Sequence, residues 1–266
     1  MKNNNEIPNA MVFDLDGTLY LGEGLIDGAD DTIEALRSAG IKVVFLTNKP
    51  IASPTSYADK LTALGIASSP SDVITSVTLT RDYLLAGGEG RRIYLIGEDY
   101  LRETLLESGF VLATCPEETD VVIVSLDRTL DYAKLHFAYT AAREGATIVA
   151  TNPDVICPLK DGEILDAGAS IAALEAVLQR PIDAVLGKPS RRCAEVALRR
   201  LDCSPGEVIM VGDRMETDVR MAVEAGMRSA LVLTGVSTAE DAGRYAYRPD
   251  HVWSSVADIP EVLGLP

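Results

Sequence analysis

Short apolar runs alternate with amphipathic stretches along almost the whole chain. "AMVFDL", "IKVVFLTN" and "DVITS" are near-continuous apolar runs, and each is followed by a helical pattern. The helical stretches are "GADDTIEALRSAG", closed by Gly40, then "SPTSYADKLTALG" and "TLTRDYLLAGG". In the second of these, Ser53 is placed to cap the helix, with Pro54 at its first position. Apolar runs bounded by turn residues and separated by helices predict a parallel sheet covered on both faces.

A second series begins after about residue 90. "RRIYLIG", "TDVVIVSL" and "ATIVAT" read as strands, while "YLRETLLESG", "DYAKLHFAYTAAREG" and "SIAALEAVLQR" read as helices. The closing portion adds "AVLGKP", "RCAEVALRRLD", "EVIMVGD", "TDVRMAVEAG" and "RSALVLTG". No low-complexity linker separates the series. The predicted organisation is a core in residues 1–80 and 182–266, with residues 81–181 inserted as a second α/β unit.

Composition narrows the function. The 266 residues suffice for one large or two modest domains, and 47% hydrophobic with 24% charged residues is ordinary for a globular chain. A net charge of −16 repels nucleic acid and anionic membrane surfaces, so neither is an expected partner. "MKNNNEIPNA" lacks an apolar signal core, and no run is long enough to span a bilayer. Cys115, Cys157, Cys193 and Cys203 form no C-x-x-C pair, which disfavours a zinc site or a disulfide framework. A cytoplasmic protein is the expectation. His136 and His251 both sit in patterns that give them structural roles. "LGKPS" is not a P-loop, because Pro189 interrupts it and Ile182 stands where the first glycine is required.

The candidate chemistry lies where strands end. The first strand runs into Asp14-Leu15-Asp16-Gly17-Thr18, the second into Thr47-Asn48. Later come Gly187-Lys188-Pro189, and Gly212-Asp213 with Asp218 five residues on. Ligands of open parallel sheets bind outside the carboxyl ends of the strands. Taken singly, each stretch has a bland reading: a polar turn, a helix-entry asparagine, a surface lysine, an acidic helix start. A calcium loop from Asp14 fails, since Thr18, Leu19 and Leu25 occupy its fifth, sixth and twelfth places. Four such stretches, each at a strand end, make coincidence improbable.

Together they fit phosphoryl transfer. A carboxylate can attack phosphorus, several can hold Mg²⁺, and lysine, hydroxyl, amide and backbone N–H groups can bind the phosphoryl oxygens. Asp14 and Asp16, two apart in extended chain, are expected to face one side.

In "DLDGT", "LTN", "GKPS" and "GDRMETD" the sequence resembles the haloacid dehalogenase superfamily of phosphohydrolases. The large insertion, with "ATNPD" and "GAS", further resembles the NagD-like branch, which includes p-nitrophenyl, phosphoglycolate and sugar phosphatases. The resemblance implies a Rossmann-like parallel-sheet core with an inserted α/β cap. It makes Asp14 the nucleophile and Asp16 the general acid and then base. Thr47, Asn48 and the Gly17 turn become phosphoryl binders, and Lys188 steadies nucleophile and phosphate. It gives Mg²⁺ to Asp14, the Asp16 carbonyl and Asp213, with Asp218 in support. The Pro-rich stretch "TNPDVICPLKDGE", between a strand and a helix, reads as a loop; the resemblance brings it to the leaving group, where Val155, Ile156 and Cys157 would present an apolar face, and raises a homodimer through the cap.

The expected activity is a Mg²⁺-dependent phosphatase on a small phosphorylated metabolite: a sugar phosphate, phosphoglycolate or a nucleotide monophosphate. A phospho-accepting signalling domain is the rival from another class, and Asp16 and the large insertion argue against it. Carbon–halogen hydrolysis needs neither Asp16 nor Asp213, and a phosphomutase on the same core is a further alternative.

Overall fold

A computed structural model describes residues 7–88, 90–159 and 162–265. The part of "MKNNNEIPNA" before residue 7, and Lys160 and Asp161 of "TNPDVICPLKDGE", lie outside the described residues. The chain divides into two compact units, one of residues 1–47, 54–74 and 188–266, the other of residues 48–53 and 75–187. The architecture is α/β, with a Rossmann-like parallel-sheet core.

The first unit carries a six-stranded sheet. Its order is His251–Trp253, Arg228–Val232, Val208–Gly212, Ala10–Phe13, Lys42–Thr47, Val73–Thr75. Ala10–Phe13 pairs in parallel with both neighbours, Phe13 lying opposite Val211 on one side and Phe45 on the other. All four of its residues are buried, as expected of a strand covered on both faces. From it the chain builds outward through Lys42–Thr47. On its return it builds the other way, through Val208–Gly212 and Arg228–Val232. The order therefore reverses at Ala10–Phe13, and such a reversal opens a crevice at the strands' carboxyl ends. The helix Ala29–Ser38 buries Ala29, Thr32, Ile33 and Leu36, a stripe at helical spacing. Ser190 caps the helix Arg191–Leu201 by accepting from the Cys193 N–H at 3.2 Å.

The second unit holds a five-stranded parallel sheet in the order Ala184–Val185, Thr147–Ala150, Val121–Val124, Arg92–Ile96, Val111–Leu112. Alternation along the central strand supplies two cores. Val122 and Val124 join the helices Tyr132–Arg143 and Ala167–Leu178. Val121 and Ile123 face the other way, into a cluster with Val77, Leu84, Leu101 and Leu105. This packing moves the division away from residues 80/81 and 181/182. The helix Ser76–Ala86 and Leu186 share the second unit's core, so the boundaries fall at 74/75 and 187/188.

Two small elements were not expected. Tyr20–Leu21 pairs antiparallel with Gly24–Leu25 just after the aspartate turn. Ile156–Leu159 pairs antiparallel with Gly162–Leu165, where the sequence predicts a loop. That segment is a hairpin because Ile156 and Cys157 enter a strand ladder that Pro158 does not break at its edge. His136 lies on the helix Tyr132–Arg143, stacked on Tyr132 at 5.7 Å. Among the described residues, no helix is long and apolar enough to cross a membrane.

Candidate active site

The first core strand ends at Phe13, and its ladder continues one step further: the Asp14 N–H donates to Val211 O at 2.9 Å. The chain then turns. Leu15 O accepts from the Leu19 N–H at 2.9 Å, and Tyr20 O accepts from the Gly17 N–H at 2.8 Å. Gly17 has φ +88°, and a Cβ there would stand 2.6 Å from Asp213 Oδ2. The strand therefore ends before Asp16, which the sequence reading places in extended chain with Asp14. Asp16 lies in the turn, half-buried, with Tyr20 Oη donating to its Oδ2 at 3.4 Å.

Three carboxylates from separate segments meet beside Asp14. Among the described residues, oxygens of Asp14, Asp213 and Asp218 lie within 4.8 Å of one another, and all three residues are buried. The Asp16 carboxylate is outside this group. Asp213 follows the strand Val208–Gly212, and its Oδ2 accepts from the Val236 N–H at 2.7 Å. Its Oδ1 is buried with no hydrogen-bond partner among the described residues. Asp218 comes from a π-turn over Met215–Val219, a distortion frequent at functional sites. Gly212 lets it approach, since a Cβ there would collide with the Asp218 carboxylate.

Lys188, 3% exposed, pairs with Asp218 Oδ1 at 2.7 Å and donates to Asp14 Oδ1. Burial opposes its charge, but Asp14 and Asp218 outweigh that and hold its ammonium above the usual lysine range. Burial lifts the Asp14 carboxyl to about 7, against the pull of Lys188. Burial and then the Asp14 charge lift Asp213 to about 7. Asp218 is also raised by burial, with Lys188 acting the other way. With all three carboxylates ionised, one ammonium leaves an excess of two negative charges in a buried place. Buried charge must be paired or bound to a cation. The all-oxygen donor set, the two-charge excess and the orphaned Asp213 Oδ1 fit a hard divalent cation such as Mg²⁺.

Thr47 ends the strand next to the one that carries Asp14, and is buried. Asn48 belongs to the second unit, and its Nδ2 donates to Asp154 Oδ2 at 2.9 Å. Ile156 and Cys157, consecutive in a strand, face opposite sides of the hairpin; Cys157 is buried and Ile156 half-buried. The expected shared apolar face of these two residues is thus corrected.

Sequence reading missed the segment after Arg228–Val232. Thr234 Oγ1 donates to Gly17 O at 2.6 Å, and Ser237 Oγ accepts from the Met215 N–H at 3.0 Å. Gly235 packs so closely on Asp213 that a Cβ would overlap its carboxylate. The same strand-end rule, applied to "RSALVLTG", could have found these residues.

A haloacid dehalogenase-like hydrolase family profile matches residues 11–111, and a HAD-hydrolase-like profile matches residues 185–259. The chain belongs to the haloacid dehalogenase-like hydrolases. It is 36% identical to the sugar phosphatase AraL of Bacillus subtilis over 255 residues, 96% of this chain and 93% of that protein. An acid sugar phosphatase of Staphylococcus aureus is 36% identical, over 96% of each chain. The 4-nitrophenylphosphatase of Thermotoga maritima superposes with a TM-score of 0.89 at 32% identity, covering 98% of this chain and 99% of that one. A p-nitrophenyl phosphatase from Archaeoglobus fulgidus gives 0.89 at 27% identity, covering 97% and 100%. Within the family, this hydrolase falls in the NagD-like branch.

Proposed function

We propose that this hydrolase cleaves small phosphomonoesters, sugar phosphates foremost, through an aspartyl phosphate on Asp14 with Mg²⁺ as cofactor. The observation that carries the reading is the buried cluster of Asp14, Asp213, Asp218 and Lys188 at the carboxyl edge of the parallel sheet. The sugar phosphatases at 36% identity support the substrate class. Cys115, Cys157, Cys193 and Cys203 carry thiols rather than disulfides, which supports a cytoplasmic setting.

Asp14 attacks phosphorus as the ester oxygen leaves, and Asp16 gives that oxygen a proton. Asp16, now a carboxylate, takes a proton from water, which attacks the phosphoryl group and frees Asp14 and inorganic phosphate. Lys188 holds the nucleophile in place and offsets the incoming negative charge. Thr47 and Asn48 bind the other phosphoryl oxygens; the Gly17 N–H, expected to join them, is already given to Tyr20 O at 2.8 Å. Asp14, Asp213 and the Asp16 carbonyl would hold Mg²⁺, with Asp218 beside them. When bound, the cation neutralises charge on the transferring group.

The test is phosphate release from a panel of sugar phosphates, phosphoglycolate and nucleotide monophosphates, with and without Mg²⁺. Release that needs Mg²⁺ and disappears in Asp14→Asn is expected. Isomerisation without phosphate release, or a long-lived phosphoprotein without turnover, would overturn the reading in favour of a mutase or a signalling domain.

A further inference from the structure

The segment that follows Arg228–Val232 is tied to the loop that carries Asp213 and Asp218, and all of these residues belong to the first unit. Ser237, buried at 6% exposure, makes two of the ties. Its N–H donates to Asp213 O at 2.9 Å, and its Oγ accepts from the Met215 N–H at 3.0 Å. Between those two anchor points lies Arg214, to whose backbone Asp218 is bonded twice. The Asp218 N–H donates to Arg214 O at 3.1 Å, and Asp218 Oδ2 accepts from the Arg214 N–H at 3.1 Å. Ser237 thus grips the loop on both sides of the residue that holds Asp218. Val236 governs Asp213 itself, its N–H donating to Oδ2 at 2.7 Å. A Cβ on Gly17 would stand 2.6 Å from that oxygen, and one on Gly235 would overlap it. Oδ2 is thereby enclosed, while Oδ1 is buried with no hydrogen-bond partner among the described residues.

We propose that Ser237 is a positioning residue for the cation, its hydroxyl holding the Met215 N–H so that the Asp213 and Asp218 carboxylates keep the spacing a hard divalent ion requires. This rests on the reading that Asp213 belongs to a Mg²⁺ site. Met215 opens the π-turn Met215–Val219, and the first N–H groups of a helical turn have no carbonyl partner within it. Arg214, at the capping position, offers no side-chain hydrogen bond there. The Ser237 hydroxyl supplies the cap from 22 residues further along the chain. The two carboxylates that the turn brings together repel each other, so a loosened turn relaxes by letting them part. Mg²⁺ tolerates little departure from its octahedral oxygen geometry, so such a relaxation costs it affinity.

The bland alternative is a cap that stabilises the fold and leaves the cation untouched. Tyr247 Oη donates to Met215 O at 3.0 Å, so the turn keeps an anchor when the Ser237 hydroxyl is removed. The two accounts therefore differ in Mg²⁺ affinity, not in whether the protein folds.

The experiment compares wild type with Ser237→Thr and Ser237→Val, two side chains of one shape of which only threonine keeps the hydroxyl. The readouts are Mg²⁺ binding to the cation-free protein by calorimetry and the Mg²⁺ concentration that half-saturates hydrolysis of p-nitrophenyl phosphate. Thermal melts in EDTA check the fold, and Ser237→Ala serves if Ser237→Val does not fold. Ser237→Val is expected to weaken Mg²⁺ binding by roughly ten- to hundredfold, the usual effect of removing a group that orients a metal's ligands. Ser237→Thr should stay within about threefold of wild type, because its hydroxyl still accepts. A valine variant that melts lower in EDTA but binds Mg²⁺ as the threonine variant does overturns the inference in favour of a plain cap. Equal weakening by valine and threonine also overturns it, since shape and not the hydroxyl is then at fault. Both of those results leave the phosphatase reading intact. Failure of wild type to bind Mg²⁺ strikes the cation reading itself, and the inference falls with it.

Discussion

Replacing Asp213 with Asn removes one buried charge and keeps the shape of the side chain. The fold holds the Asp213 proton more tightly than the unfolded chain does, lifting its carboxyl from 3.8 to about 7. At 1.36 kcal/mol for each tenfold change in proton affinity, ionising it inside the cation-free protein costs about 4 kcal/mol. Between those two values the folded state binds more protons than the unfolded one, so this group makes stability fall as pH rises. Its cost is absent below about pH 4 and complete above about pH 7. In Asp213→Asn, an oxygen still accepts the Val236 N–H, but an NH₂ group arrives where Oδ1 has no partner. That second effect destabilises by about 1–3 kcal/mol at every pH. The pH dependence therefore isolates the charge: with EDTA present, the variant should gain on wild type by up to about 4 kcal/mol from acid to mildly alkaline pH. Part of that gain is shared with Asp14, which titrates in the same cluster. Urea unfolding at about pH 5, 6, 7 and 8 measures it. Adding Mg²⁺ should stabilise wild type increasingly as pH rises, because the cation needs ionised carboxylates, and should stabilise the variant far less. Parallel pH profiles for the two proteins would refute the cost of burial, and equal stabilisation by Mg²⁺ would remove Asp213 from the cation site.

Asp14→Asn should fold and release no phosphate; near-normal turnover by the folded variant eliminates a covalent mechanism. Asp16→Asn, given an aryl phosphate whose leaving group needs little protonation, should slow hydrolysis of the phosphoenzyme by about 10²–10⁴-fold. It should slow attack less, so rapid-quench trapping should find the intermediate accumulating, and equal slowing of both steps counts against the role of Asp16. Gly17→Ala puts a Cβ 2.6 Å from Asp213 Oδ2 at a φ of +88°. It should destabilise by about 2 kcal/mol or more and weaken Mg²⁺ binding, and a thermal melt unchanged from wild type contradicts the packing. Ile156→Arg on the hairpin should reorder substrate preference while Mg²⁺ dependence persists; uniform scaling across all substrates places specificity elsewhere.

Much of this protein was legible in its residues. The apolar runs "MVF", "VVFLT" and "VIMVG" made parallel strands because each side of such a strand must meet apolar partners, and continuous runs satisfy both sides at once. Asp14, Asp213, Asp218 and Lys188 could be named because a charge placed next to a buried strand is too costly to be idle. What the sequence left undecided depends on contacts between segments far apart in the chain. Thr234 reaches Gly17, and Val236 reaches Asp213, only because the strands before them are close in the sheet. The turn after Phe13, in which Asp16 lies, depends on the left-handed backbone of Gly17 packed against Asp213 and Gly235. The hairpin at Ile156 takes its form from pairing with Gly162–Leu165, a partner that a short polar-looking stretch does not announce. Local pattern determines which residues must be buried and which must punctuate. Which of them touch is decided by packing, where backbone and side-chain groups with no local partner find one across the fold.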